Sequence, residues 1–341
     1  MSYFTKTRTA DYYNDLLTGS EADFLKLVKR YSIHPKDDAG SKGTDVASVM
    51  AGPTSARAGL QSQAGKFYVR LAEMSPVDKI AYIKLKLASR TANTNEGGDT
   101  IEVDTSTVAQ PGHVPVYYLP WDISGASIRM TIPPQGAANN DPNVFMTAAI
   151  NGCSIYFQGT RQNPTVYHSG GTTNFAKEQI RETVAFWDAL MAEYQDYDQQ
   201  HNINLGALAP GSVNKTHYIA NPNTEKTKTN VTTGTTMYSY STQRALKYKG
   251  LLKRQHALGK LTVREVFPWA CVLGRRDANG DWTFYMQENA SVQYSEVDRS
   301  LPNLFAGKKV LRTVSRPMVT WEVFPVGKGH YHSPAGLPSI L

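Results

Sequence analysis

Two hydrophobic periods divide this chain. Near the N-terminus, residues 9–31 carry the helical period: Ser20 stands where a cap belongs, and Phe24, Leu27, Val28 and Tyr31 fall on one face. From residue 67 the period drops towards two. In 79–89, Ala81, Ile83, Leu85 and Leu87 alternate with polar residues, which favours a strand over the helix the same window allows. Short strand candidates follow in IEVDTSTV, VPVYYLPW, ASIRMTI, VFMTAAI, SIYFQG and TVYHSGG, punctuated by Pro and Gly. The helical period then returns. Ile180, Val184, Trp187, Met191 and Tyr194 define one face of a long helix with Asn174 as its cap, ending near Gln200. Beyond it, VREVFPWACVLGRR, DWTFYMQEN, KVLRTVS and VTWEVFPV read as strands, with Asn279-Gly280 as a tight hairpin turn between the first two.

The polar stretches set the organisation. Residues 34–66 are rich in Gly, Ser, Asp, Lys and Ala, and read as a long linker or mobile loop. The expected division is therefore an N-terminal helical segment with its linker at 1–66 and a main domain at 67–341. Residues 209–242 read as an extended polar loop, and the tail from 327 is rich in Gly and Pro. No fixed-period repeat is present. Strands interspersed with a few helices place the chain in the α+β class.

Composition narrows the function classes. The formal charge is +7 and the isoelectric point about 9.1, which implies attraction to an acidic surface. No long basic run with interleaved aromatics appears, and the densest basic cluster, 247–256, reads as a solvated face or helix end, so no nucleic-acid partner is expected. No apolar run spans a bilayer, and the first residues lack the apolar core of a signal peptide. Two cysteines make no disulfide framework and suit a reducing compartment.

The chemistry concentrates in the 147–168 stretch, TAAINGCSIYFQGTRQNPTVYH. Cys153 follows Gly152 between two strand candidates. Gly152 permits a sharp turn that exposes the thiol, and the backbone N–H groups of Asn151 and Gly152 are placed to hold an oxyanion. A hairpin at 159–164 would bring His168 back beside Cys153, where an imidazole can take the thiol proton. Thr147 is expected as the third element, its hydroxyl or carbonyl fixing the ring tautomer. Cys153 as a buried core residue is the competing reading. Cys271, inside apolar FPWACVLG, reads as core.

The Gly-Cys turn, following strand and histidine resemble the cysteine-dependent glutamine deamidases. That group includes the catalytic domain of the cytotoxic necrotizing factors, Burkholderia lethal factor and, more distantly, the chemoreceptor glutamine deamidases. The toxins carry Leu-Ser-Gly-Cys where this chain has Ile150-Asn151-Gly152-Cys153. The resemblance implies a layered, β-sandwich-like core of mixed and antiparallel strands with flanking helices. It implies Cys153, His168 and Thr147 as catalytic residues, no cofactor and no metal. Its reaction is hydrolysis of a glutamine side-chain amide on a target protein, such as a host GTPase or a translation factor, by a bacterial toxin or effector. Such a virulence protein is secreted or injected without a signal peptide and acts in a target-cell cytosol; otherwise the chain is cytoplasmic. A cysteine protease, or a transglutaminase or other acyltransferase, using the same dyad stays open, as does a non-catalytic β-rich binding protein. Other constellations are weaker. His330 and His332 lack nearby acidic or thiol ligands, and Asp277, Asn279 and Asp281, though spaced like the start of a calcium loop, read as part of the Asn279-Gly280 hairpin turn.

Overall fold

The structure is a computed structural model and describes residues 11–35, 43–50, 68–74, 79–88, 100–121, 127–137, 141–150, 153–170, 180–209, 212–214, 262–297, 309–325 and 330–332. Two short helices open it, α1 (Tyr12–Thr18) and α2 (Glu21–Arg30). Ser20 caps α2 as the period implied: its hydroxyl accepts from the Asp23 N–H, and the Asp23 carboxylate accepts from the Ser20 N–H and Oγ. Phe24, Leu27 and Val28 are fully buried.

Strands β1 (Ser32–His34), β4 (Ile80–Leu87), β5 (Thr100–Ser106), β6 (Val114–Leu119), β8 (Val144–Thr147), β11 (Thr262–Arg276), β12 (Trp282–Val297), β13 (Lys309–Phe324) and β14 (His330–His332) form a nine-stranded mixed sheet in the order β1-β5-β4-β6-β8-β11-β12-β13-β14. A second sheet holds β2 (Gly43–Met50), β3 (Tyr68–Met74), β7 (Ser127–Thr131), β10 (Pro164–Ser169) and β9 (Ser154–Gly159), in the order β2-β3-β7-β10-β9. Mixed pairing follows from connectivity: β1–β5, β6–β8 and β3–β7 are parallel, the hairpins antiparallel.

Alternation sorts the side chains into layers. One cluster lies between the sheets: Met74, Ile128, Met130, Ile155, Phe157 and Val166 from the five-stranded sheet meet Leu119, Phe145, Val272, Phe284 and Phe324 from the nine-stranded one. A second cluster lies on the other face of the large sheet, where Leu17, Phe24, Leu27 and Val28 pack on Ile83, Leu85, Val103, Met146 and Leu273. Helix α3 (Ile180–Gln200) covers the outer face of the small sheet. The outward Arg129 side chain donates to Asp198 of α3 at 2.7 Å and pairs with Glu73 at 3.0 Å, and Tyr156 donates to Asp188 at 2.8 Å. The α+β class and layered sandwich are thus the architecture observed.

Gln287 ties helix to sheet. Its amide donates to the carbonyls of Val28 and Tyr31, and its Oε1 accepts from the Ile33 N–H at 2.9 Å. The two carbonyls are groups that the end of α2 leaves without intrahelical partners. The segment assigned to 1–66 therefore shares a core with β4, β5, β8 and β11, and β1 and β2 pair with β5 and β3. The expected boundary at 66 lies outside the described residues.

Three local expectations change. The 34–66 stretch contains β2, in which Val46, Val49 and Met50 supply strand residues that the bulk composition hides. KVLRTVS and VTWEVFPV are one strand, because Pro317 is accommodated at a register shift opposite Glu288 and Asn289. The Asn279-Gly280 turn is wider than a two-residue loop: only Gly280 has positive φ (85°), and Asp277 Oδ1 accepts from the Asn279 and Asp281 N–H groups.

Candidate active site

The hairpin of β9 and β10 forms, with Gly159 opposite Pro164 and His168 opposite Ile155. Extending that register places Cys153 across from Gly170. Packing agrees, since a Cβ built on Gly170 would lie 2.2 Å from Cys153 Sγ. The thiol occupies the space a side chain at 170 would need, and this is why Gly170 belongs to the site.

Residues directly opposite in an antiparallel pair share a face. Cys153, Ile155 and Phe157 therefore point to the same side as Val166, His168 and Gly170, inward between the sheets. Cys153 and His168 are diagonal neighbours, a relation that typically separates Cβ atoms by about 7–8 Å and leaves longer side chains in reach.

The environment is apolar. His168 sits in a row between Ile128 on β7 and Ile155 on β9 and is fully buried. Burial lowers its pKa to about 4, against the opposing pull of the Leu119 and Pro120 carbonyls. Those carbonyls are near enough to favour a protonated ring, but neither ring nitrogen has a partner at hydrogen-bond geometry. The influence is electrostatic, across a gap. At neutral pH the imidazole is uncharged and able to accept a proton. Cys153 is 9 % exposed and borders the inter-sheet cluster.

Thr147 faces the same interior, alternating with Phe145 along β8, but its hydroxyl accepts from the Val272 N–H at 3.0 Å. It makes no hydrogen bond to His168. The groups near the ring are instead the carbonyls at the end of β6, one register step from Thr147, which pairs with Leu119. Asn151 and Gly152, expected to form the oxyanion site, lie outside the described residues, as does the expected Asn174 cap.

Cys271 lies on the opposite face of the large sheet from Cys153. It is fully buried, donates to the Ile33 carbonyl at 3.5 Å, and its thiol pKa is pushed up by burial. Neither cysteine is in a disulfide, and the two lie in core clusters on opposite faces of the large sheet.

A cavity of 540 Å³ lies at the other end of β9, lined by Gln158, Gln195, Asp198, Asn202 and Gly206 among others. Gln158 is five residues from Cys153, roughly 17 Å along a strand, so the cavity is not part of the thiol site. Among the described residues, no three His, Cys, Asp or Glu side chains gather to hold a metal, and no helix is long and apolar enough to cross a membrane.

No protein-family model and no curated protein sequence matches this chain.

Proposed function

We propose that this protein is a cysteine-dependent amidohydrolase acting on the side-chain carboxamide of a glutamine in a target protein, in the manner of the toxin-type glutamine deamidases. The observation that carries the reading is the shared face of Cys153 and His168 on paired strands, with Gly170 leaving room for the sulfur and backbone carbonyls beside the ring.

In this scheme Cys153 attacks the carboxamide carbon as His168 takes the thiol proton. The tetrahedral intermediate collapses, His168 returns the proton to the leaving nitrogen, and ammonia departs. Water then attacks the thioester with His168 as base, releasing glutamate and the thiol. The Leu119 and Pro120 carbonyls stabilise the imidazolium formed in each half-reaction, which offsets part of the cost of charging a buried ring. An amine in place of water gives transglutamination at the same site.

Intact-mass spectrometry of proteins with exposed glutamines tests this: each turnover adds about 1 Da, as exchange of a carboxamide for a carboxylate requires. Cys153→Ala and His168→Ala must each abolish the gain. Turnover retained by Cys153→Ala rules out every Cys153-based scheme, and peptide cleavage in place of the mass gain identifies a protease.

A second reading rests on burial. With the ring fully buried and the sulfur only 9 % exposed, the pair also suits the core of a non-catalytic binding protein. On that reading no amide substrate turns over and His168→Ala leaves the reactivity of Cys153 unchanged.

A further inference from the structure

The chain turns back on itself where α3 ends, and the turn encloses the cavity of 540 Å³. Gln195, Asp198 and Gln199 share one face of the last turns of α3 and form one wall. Asn202 stops the helix in the left-handed region, at φ 55°. Its N–H donates to the Gln199 carbonyl at 3.2 Å, and the Ile203 N–H donates to the Asp198 carbonyl at 2.7 Å. That reversal carries Ile203, Asn204 and Leu205 into the facing wall. Gly206 then closes against Gly159, where a Cβ at 206 would come 3.0 Å from the Gly159 Cα.

The floor is polar and already fixed. Gln158 and Asp198 are both buried. Gln158 Nε2 donates to the Gly206 carbonyl at 2.8 Å, and its Oε1 accepts from the Tyr167 hydroxyl at 2.5 Å. Both Asp198 oxygens accept from Arg129 Nη1, at 2.7 and 3.0 Å. Side chains held in this way leave little ordering for a ligand to impose.

The chemistry of the lining decides what fits. Ordinary small-molecule sites are mostly apolar with a few polar groups. Here five of the ten lining residues carry carboxamides and two carry carboxylates, while only Ile203 and Leu205 are apolar. A matching ligand therefore has hydrogen-bonding groups over most of its surface. Among the described residues that line the cavity none is Lys, Arg or His, in a chain with 36 Lys and Arg, so an anion finds no counter-charge. A cation is not required either, because Arg129 already compensates the buried Asp198 carboxylate. What remains is a neutral ligand that both donates and accepts. A carboxamide offers N–H donors and an acceptor oxygen, a hydroxyl offers a donor and lone pairs, and the two match group for group. Ile203 and Leu205 give apolar contact to the C–H face of a ring. The volume of 540 Å³ falls within the range of about 300–1,000 Å³ typical of ligand pockets.

We propose that the cleft between the end of α3 and residues 202–206 is a carbohydrate-binding site, floored by Gln158 and Asp198, that takes a neutral sugar, either free or at the end of a glycan chain. It stands at the far end of β9 from Cys153, and its occupancy is independent of the chemistry at the thiol.

Methyl-labelled full-length protein tests this by NMR. The Ile203 and Leu205 methyls report occupancy, and those of Ile33 and Ile83, in the cluster beyond the large sheet, serve as controls. The probes are glucose, galactose, mannose, N-acetylglucosamine, lactose and maltose, with N-acetylneuraminic acid as the anionic sugar and spermidine as the cation. At least one neutral sugar should saturate the Ile203 and Leu205 shifts at or below about 10 mM, the controls staying still and the anionic sugar having no effect. Replacing Gln195 and Gln199 together by Ala should weaken that binding at least about tenfold and leave the control methyls and the urea midpoint unchanged. Methyl glycosides separate the two sources. A glycoside that binds as well as its parent identifies the end of a glycan, and one that fails identifies a free reducing sugar. Cys153→Ala should bind the sugar as tightly as the wild type, so loss of turnover and loss of sugar binding are read apart. Lack of saturable shifts with every neutral sugar overturns the proposal, as do shifts that the double substitution leaves unchanged. Saturation by spermidine alone also overturns it and marks a cation site instead.

Discussion

Acid should destabilise this protein through His168, by an amount the structure allows one to work out. The ring sits between Ile128 and Ile155, fully buried, with its pKa lowered from 6.5 to about 4 by burial. In the unfolded chain the same imidazole binds a proton near pH 6.5. Between those values the unfolded state holds more protons than the folded one, so stability rises with pH across the window and is lost as pH falls through it. At about 1.4 kcal/mol per pH unit, the drop from 6.5 to about 4 amounts to about 3–4 kcal/mol. The contribution is fully present above pH 6.5 and mostly gone by pH 4.5. Carboxylates titrate in the same range, so a reference that lacks only this ring is required. His168→Leu supplies one, with an apolar side chain suited to the row between two isoleucines. Urea unfolding at pH 7.5, 6.5, 5.5 and 4.5 gives both curves. The stability of the wild type relative to the variant should fall by about 3 kcal/mol across the series, with no change in the slope against urea. A difference that stays constant with pH would refute the reasoning, because the folded ring would then titrate as it does in the unfolded chain.

Three further outcomes follow from packing. Gly170→Ala drives a Cβ to 2.2 Å from Cys153 Sγ, so it should cost about 1–3 kcal/mol in urea unfolding and change the alkylation rate of Cys153 while leaving that of Cys271 alone. Asp198→Ala leaves the Arg129 guanidinium buried with only the partly exposed Glu73, and should destabilise by about 3–5 kcal/mol, whereas Glu73→Gln, at the more exposed end of the triad, should cost distinctly less; thermal melts of both variants compare them. Ser20→Ala removes the hydroxyl that caps α2 and should lower stability by about 1 kcal/mol, read from the urea midpoint.

Local chemistry explains what was legible in the chain. Ser20 and the Phe24, Leu27, Val28 face describe α2 because capping and amphipathic spacing act within a few residues. Ile83 and Leu85 mark the buried side of β4 for the same reason, while Leu87, at the strand end, is 41 % exposed although the alternation includes it. The turn at 159–164 joined β9 to β10, and with it the strands bearing Cys153 and His168, because a hairpin is a short-range object.

Groups that come from distant parts of the chain were not legible. The carbonyls of Leu119 and Pro120 reach His168 because β6 lies in the facing sheet, and a backbone carbonyl has no signature in residue identity. Thr147 has the right chemistry and the right face, but Val272, 125 positions away, takes its hydroxyl. Gly170 looked like a turn glycine, and only packing shows that it makes room for a sulfur. Within the chain itself, periodicity and capping decide which residues point together, since each side chain's direction depends on the few dihedrals around it. The partners that meet across layers are a property of the assembled sheets, because strand order and register arise from burying all the apolar faces at once.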